Sequence, residues 1–320
     1  MSLEDINISI FAGDSSRSFA EKMCNYLNIS IGQAQTINFS EGNTFVRILE
    51  RVRDKDVYIV QTIGLHPNDD FMELLFWIDA FKRSSASSVT AILPYFSYAK
   101  GDKKDEPRVS IRARVCADCL EVTGVDRIIT MDLHSPQIQG FFKKPVDHLY
   151  GLPIIIKYIK SKNLENLVVV SPDAGFAKNA RKYATALKVP VAIGDKTREN
   201  HDERAEVLEI IGNVKGKNVL IVDDFTISCG TLVETARAVK GHGAEKIYAC
   251  VSHALLGEKA LKALENSPIE ELIITDTVEN TEAFKHPKIK VVSVAPLFAE
   301  AVKIIHNKES LSQLFSDIEN

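Results

Sequence analysis

Long hydrophobic runs are missing from this sequence of 320 residues. None approaches the roughly 18 apolar residues that a membrane-spanning helix needs. The first turns of sequence also lack the charged, apolar and small-residue layout of a secretory signal. Cysteine is scarce: Cys24, Cys116, Cys119, Cys229 and Cys250 are odd in number and scattered. That spacing excludes a disulfide framework and leads us to expect a reduced, cytoplasmic protein. Cys116 and Cys119 form a lone CxxC within a helical pattern, with no second pair to complete a zinc site, and read as packing residues. Charge of one sign is lacking too. A net charge of −4 without a basic surplus argues against a dedicated nucleic-acid binder, yet leaves room for local basic pockets. No G-x-x-x-x-G-K-[ST] loop occurs, so the common nucleotide-binding loop is excluded. Nothing is of low complexity.

What is present suits a folded protein of two domains. Of the residues 45% are hydrophobic and 26% charged, and the length is about twice that of an ordinary domain. Short β-branched runs at 8–11, 57–61, 90–93, 127–131, 167–171, 219–222, 247–251, 272–275 and 291–293 predict strands. Helical patterns separate them, among them 17–27, 72–84, 112–123, 176–187 and 231–241. Continuously apolar strands alternating with helices predict α/β domains, each a mainly parallel sheet flanked by helices. The run from Lys55 to Val60 is echoed from Lys217 to Val222, and a further strand follows each after a helix. The echo predicts two similar domains. Tyr150-Gly151-Leu152-Pro153 breaks the pattern, giving domains at 1–148 and 149–304, with the tail 305–320 folding back on the first.

The strongest chemical signal runs from Val219 to Thr231. A buried strand ends in Asp223 and Asp224, and a loop of small residues then opens a helix. Ligands of open α/β sheets sit at the carboxyl ends of strands. A helix N-terminus offers unpaired N–H groups and partial positive charge, which suits a phosphate monoester. Ser228 and Thr231 can add hydroxyls, and Gly230 lets the backbone approach closely. Asp223 and Asp224 can accept from the vicinal hydroxyls of a ribose. Solvated acids beside a helix cap are the plainer reading, but burying adjacent carboxylates without a ligand or cation is costly.

This segment resembles the phosphoribosyl-binding motif of the phosphoribosyltransferase-like superfamily, and the resemblance extends over nearly the whole chain to the ribose-phosphate pyrophosphokinases. Supporting blocks are Met131 to Phe142, Ser171-Pro172-Asp173-Ala174-Gly175, Asp195-Lys196-Thr197-Arg198 and Val294 to Glu300. The resemblance implies two phosphoribosyltransferase-like domains. It also implies an enzyme that transfers the pyrophosphoryl group of Mg-ATP to the C1 hydroxyl of ribose 5-phosphate. Asp223, Asp224, Ser228, Cys229, Gly230 and Thr231 would bind ribose 5-phosphate, and His134 and Asp173 would help hold Mg2+. Magnesium keeps waters and favours substrate oxygens, so few protein ligands are expected. Residues 195–206 carry no apolar residue except Ala205 and predict a mobile loop. The family has a catalytic lid there, with Lys196 and Arg198 at its two basic positions.

For ATP the resemblance implies Phe39, Glu41 and Asn43, from an aromatic-acidic loop of a neighbouring subunit, together with Lys100, Gly101 and Asp102. A shared site of this kind implies a homo-oligomer, dimer-based and extending to a hexamer. The tail 310–315 resembles the family's segment near a phosphate or ADP regulatory site. Several positions depart from the family's usual pattern. Ile227 and Ser228 replace Asp and Thr, Lys100-Gly101 replaces Arg-Gln, Glu41 and Asn43 replace Asp and Glu, and Phe176 replaces a glycine, where crowding is expected. The alternative these departures raise is a catalytically weak relative that binds nucleotide or sugar phosphate and regulates a partner.

Overall fold

The computed structural model describes residues 7–197 and 207–314, with the backbone alone for residues 196, 197, 207 and 208. The chain divides into two units, the first holding the N-terminal part to Tyr150 with Thr277–Glu279 and the segment from Val294. The second runs over Gly151–Asp276 and Asn280–Ser293.

In the first unit the strands are β1 (Ile8–Ala12), β2 (Ala34–Asn38), β3 (Thr44–Ile48), β4 (Asp56–Val60), β5 (Ser88–Leu93), β6 (Arg127–Met131) and β7 (Val146–Leu149). Its main sheet has the order β1-β4-β5-β6-β7 and is parallel throughout. Helices α1 (Arg17–Leu27), α2 (Pro67–Arg83) and α3 (Arg112–Thr123) link the strands. Each starts or ends where the residues dictate. α2 opens with Pro67 and carries Asp69 and Asp70 in its first turn and Lys82 and Arg83 in its last, complementing the helix dipole. α1 ends at Asn28 in the left-handed region, a conformation asparagine tolerates. Trp77, Phe81 and Phe11 are fully buried and stack in the core between sheet and helices. β2 and β3 form a separate antiparallel hairpin that packs on α2.

The second unit comprises α4 (Leu152–Ser161), β8 (Leu167–Ser171), α5 (Ala177–Leu187), β9 (Val191–Thr197), β10 (Val207–Ile211), β11 (Asn218–Thr226), α6 (Gly230–Gly241), β12 (Ile247–Ala254), α7 (Glu258–Glu265), β13 (Ile269–Thr275), α8 (Thr281–Phe284) and β14 (Ile289–Val292). Its sheet has the order β10-β9-β8-β11-β12-β13-β14, antiparallel at the β10–β9 pair alone. Apolar clusters cover both faces, with Val168, Ile221 and Ala249 on one and Val169, Leu220 and Cys250 on the other. Burial on both faces is why these strands read as unbroken apolar runs.

The echo in the sequence has a structural counterpart. The series β1-β4-β5-β6-β7 follows the same order as β8-β11-β12-β13-β14, with a hairpin inserted after the first strand of each. The hairpin stands apart in the first unit and joins the sheet edge in the second. The expected loop over 195–206 begins later than the sequence indicated: Asp195, Lys196 and Thr197 pair with Glu209, Leu208 and Val207. An edge hairpin can carry alternating polar residues on a solvated face, so polarity there does not forbid strand. Helix α9 (Ala295–His306) counts with the first unit, although the sequence reading assigned residues up to 304 to the second. The reason is packing: α9 lies on α1, and the Phe298 ring meets Phe19 edge-on at 5.4 Å. Among the described residues no helix is long and apolar enough to cross a membrane.

Candidate active site

In the second unit the chain runs from β8 outward through β9 and β10, then returns to build β11 to β14 on the other side. The order therefore reverses between β8 and β11, and a crevice opens at the carboxyl ends of such a pair. β8 leaves through Pro172-Asp173-Ala174-Gly175 into α5, and β11 leaves through Ile227-Ser228-Cys229 into α6. Asp173, Asp223, Asp224 and the loop to Thr231 are thus brought together at one edge of one sheet.

The loop between β11 and α6 is a tight turn braced by its own hydroxyls. Cys229 is fully buried and left-handed at φ 59°, and its N–H donates to Thr226 Oγ1 at 3.1 Å. The turn then hands the chain to α6, where Gly230 N donates to Ser228 Oγ at 3.2 Å. No side chain of the N-cap residue closes the helix, and no acid lies in its first turn. No acidic side chain there offsets the positive end of α6, and the hydroxyls of Thr226 and Ser228 take up the Cys229 and Gly230 N–H groups. Ile227 is half exposed on this loop.

The carboxylates beside the loop are crowded. Asp223 is raised to about 8, first by burial and then by the neighbouring Asp224 and Asp173 charges. Backbone donors hold the other two in place: Phe225 N donates to Asp224 Oδ1 at 2.9 Å, and Phe176 N to Asp173 Oδ1 at 3.0 Å. Donors such as hydroxyls, or a divalent cation, would draw Asp223 back to its ionised form. The crowding expected at Phe176 does not arise. Its backbone lies at φ −90°, open to any residue, and its side chain packs against the Ile155 and Tyr183 cluster.

In the first unit, β5 and β6 are paired neighbours, and the segments that leave them carry the other expected residues. A 3-10 turn (Ser97–Lys100) presents Lys100, Gly101 and Asp102. After β6, Asp132 takes φ 39° and His134 is exposed. The hairpin tip holds Phe39, Glu41 and Asn43, all exposed, around Gly42 at φ 89°, a conformation that favours glycine. Phe39 N donates to Asn43 O at 2.8 Å, closing the turn. Asn38, Gly42 and Thr44 of the hairpin line a cavity of about 410 Å³ with Asp14, Ser15, His66, Asp69, Asp70 and Glu73, while Phe39, Glu41 and Asn43 do not line it. Lys100, Gly101 and Asp102 do not line it. The Lys196 side chain and all of Arg198 lie outside the described residues.

Sequence reasoning passed over two supports. His148 is buried, and its Nε2 accepts from Leu133 N–H at 2.9 Å, fixing the turn between Asp132 and His134. Glu73 is buried under donors from Asp14 N, Thr36 Oγ1, Gln61 Nε2 and Trp77 Nε1, all at 3.0–3.1 Å. A lone histidine third in a four-residue strand, or an acid inside a helix, gives no sequence signal of such contacts. At the first unit's counterpart of Asp223 and Asp224 stand Gln61 and Thr62, which are buried and hydrogen-bonded within the unit. The acidic pair belongs to the second unit.

Comparison with known proteins adds to this geometry. Residues 8–124 match the family model for the N-terminal domain of ribose phosphate pyrophosphokinase, and residues 199–316 match that of the phosphoribosyl synthetase-associated domain. The chain is 46% identical over 311 residues to the ribose-phosphate pyrophosphokinase of Caldanaerobacter subterraneus, covering 97% of this chain and 98% of that protein. With the Bacillus subtilis protein of the same name it shares 41% over 312 residues, or 98% of each. Among solved structures, phosphoribosylpyrophosphate synthetase from Mycobacterium smegmatis superposes with a TM-score of 0.89 at 35% identity, covering 94% of this chain and 99% of that one.

Proposed function

This chain belongs to the ribose-phosphate pyrophosphokinase family, and from that premise we propose how its residues divide the family's reaction among them. The chain is an enzyme that transfers the pyrophosphoryl group of ATP to the C1 hydroxyl of ribose 5-phosphate, giving phosphoribosyl pyrophosphate and AMP. No observation favours the regulatory alternative.

The observation that carries the site assignment is the meeting of Asp223, Asp224 and the N-terminus of α6 at the reversal point of the second sheet. In our reading the 5-phosphate rests on the N–H groups and hydroxyls of Ser228 to Thr231. Asp223 and Asp224 accept from the ribose hydroxyls, which fixes the sugar ring and aims its C1 hydroxyl. Binding of those donors releases the proton that crowding leaves on Asp223. Positioning of this kind is most of what a protein does in phosphoryl transfer.

Among the described residues no group of three or more His, Cys, Asp or Glu side chains is set to hold a metal by itself. A site with so few protein donors suits magnesium, which keeps waters and substrate oxygens in its shell. His134 and Asp173 would each serve as a ligand. Bound magnesium would supply charge neutralisation on the phosphate oxygens. Lys196 and Arg198 would meet the negative charge that develops on the transferring group once water is excluded.

Lys100, Gly101 and Asp102 bind the ATP phosphates in this reading, and the exposed tip of Phe39, Glu41 and Asn43 reaches the nucleotide of a neighbouring subunit. The working enzyme is then a cytoplasmic homo-oligomer. Full activity in a monomer, established by light scattering under assay conditions, would remove the shared-site part. Phosphorus NMR of the purified protein with magnesium, ATP and ribose 5-phosphate tests the whole. AMP and phosphoribosyl pyrophosphate should appear together, and absence of both would overturn the reading.

A further inference from the structure

Gly101 is buried, and its backbone is held on both sides. Its N–H donates to Tyr98 O at 2.9 Å, and its own carbonyl accepts from Ala113 N at 3.1 Å, which ties the turn to the start of α3. A side chain at this position would force Arg112 to shift. A Cβ there would lie 2.5 Å from Arg112 Nε, 2.9 Å from Arg112 Cβ and 3.3 Å from Arg112 Cζ. The guanidinium of Arg112 thus occupies the space that a residue-101 side chain would need. Arg112 is also the first residue of α3, where the helix dipole disfavours a cation, and that turn contains no acid. Its side chain is exposed, and among the described residues no carboxylate pairs with it.

We propose that Arg112 is a further ATP-phosphate-binding residue, seated by the gap at Gly101. The proposal rests on the assignment of Lys100 to Asp102 as the nucleotide segment. It gives the departure from the family's usual Arg-Gln pair a physical meaning. A glutamine at 101 would displace Arg112 from where it lies, whereas glycine leaves room for a cationic fork that phosphate oxygens can meet with two hydrogen bonds. Lys100 keeps its charge beside it without that fork. Glycine at 101 and arginine at 112 therefore act as one unit, and neither substitution should be tolerated alone.

Steady-state kinetics and direct binding of a non-hydrolysable ATP analogue test this on the full-length protein. Arg112→Ala should raise KM for ATP about tenfold, the expected loss of one charge-assisted contact. KM for ribose 5-phosphate and the melting temperature should stay unchanged, and Arg112→Lys should fall between. Gly101→Gln should also weaken ATP binding by displacing Arg112, and the double variant Gly101→Gln with Arg112→Ala should lose no more than Arg112→Ala alone. An Arg112→Ala enzyme whose KM for ATP stays within about twofold would overturn the proposal, as would equal losses for both substrates. An unmodified protein that fails to turn over ATP with ribose 5-phosphate would instead remove the reading on which it rests.

Discussion

Replacing Asp223 by Asn should change how stability depends on pH, in a direction that burial and the neighbouring carboxylates fix. Asp223 keeps its proton to about pH 8 in the folded protein because burial, Asp224 and Asp173 all oppose its charge. In the unfolded chain the same carboxyl ionises near pH 4. Between those values the unfolded state has released a proton that the folded state retains. Folding stability must therefore fall as pH rises through this window, and the loss levels off above about pH 8. One proton is worth at most about 1.4 kcal/mol per pH unit, so Asp223 removes up to roughly 3 kcal/mol between about pH 5.5 and 7.5. Asn carries no proton to lose. The Asp223→Asn protein should gain on the parent across that range by this amount, and the gap should stop growing near pH 8. Urea denaturation of the ligand-free proteins, followed by circular dichroism at one protein concentration, measures it. Parallel stability–pH curves would refute the reasoning, because they would place Asp223 in an environment that tolerates its charge.

Other substitutions probe the remaining parts. Glu73→Ala would take the acceptor from buried Trp77 Nε1 and from one hydrogen of buried Gln61 Nε2, at a cost of about 2 kcal/mol or more. The lone Trp77 reports on it directly, and its fluorescence should shift toward the red. His148→Leu removes the acceptor of Leu133 N–H and should cost about 1–3 kcal/mol in urea denaturation, while His148→Gln should restore part of it. Lys196→Ala should lower kcat by about a hundredfold or more without changing the affinity for ribose 5-phosphate, and intact turnover would end its assignment to the lid. The double variant Asp223→Asn with Asp224→Asn should lose ribose 5-phosphate binding in calorimetry; unchanged affinity would remove the hydroxyl contacts.

The sequence by itself determined β1, β4, β5 and β6 of the first sheet and β8 and β11 to β14 of the second, because strands buried on both faces are mostly apolar, and it passed over the short polar β7 (Val146–Leu149). It also determined the strand, turn and helix start of the loop proposed to hold the phosphate, since two acids followed by small residues and a helix start are read locally along one strand and one turn. The duplication was legible from one echo, Lys55 to Val60 against Lys217 to Val222, and the matching strand orders give that echo its topology. The half-exposed strands of both hairpins were not legible, because alternating polar residues on an edge look like loop until a partner strand is known. The return of α9 to the first unit depended on Phe298 meeting Phe19 across most of the chain length, a contact that no local pattern carries. Tertiary structure alone decided the sheet reversal between β8 and β11, which sets Asp173 beside Asp223, and with it the raised Asp223 carboxyl. It alone decided the seat of Arg112 over Gly101. Eleven positions apart in sequence they are an arginine and a glycine; in the fold the missing Cβ of one makes the space that the other fills.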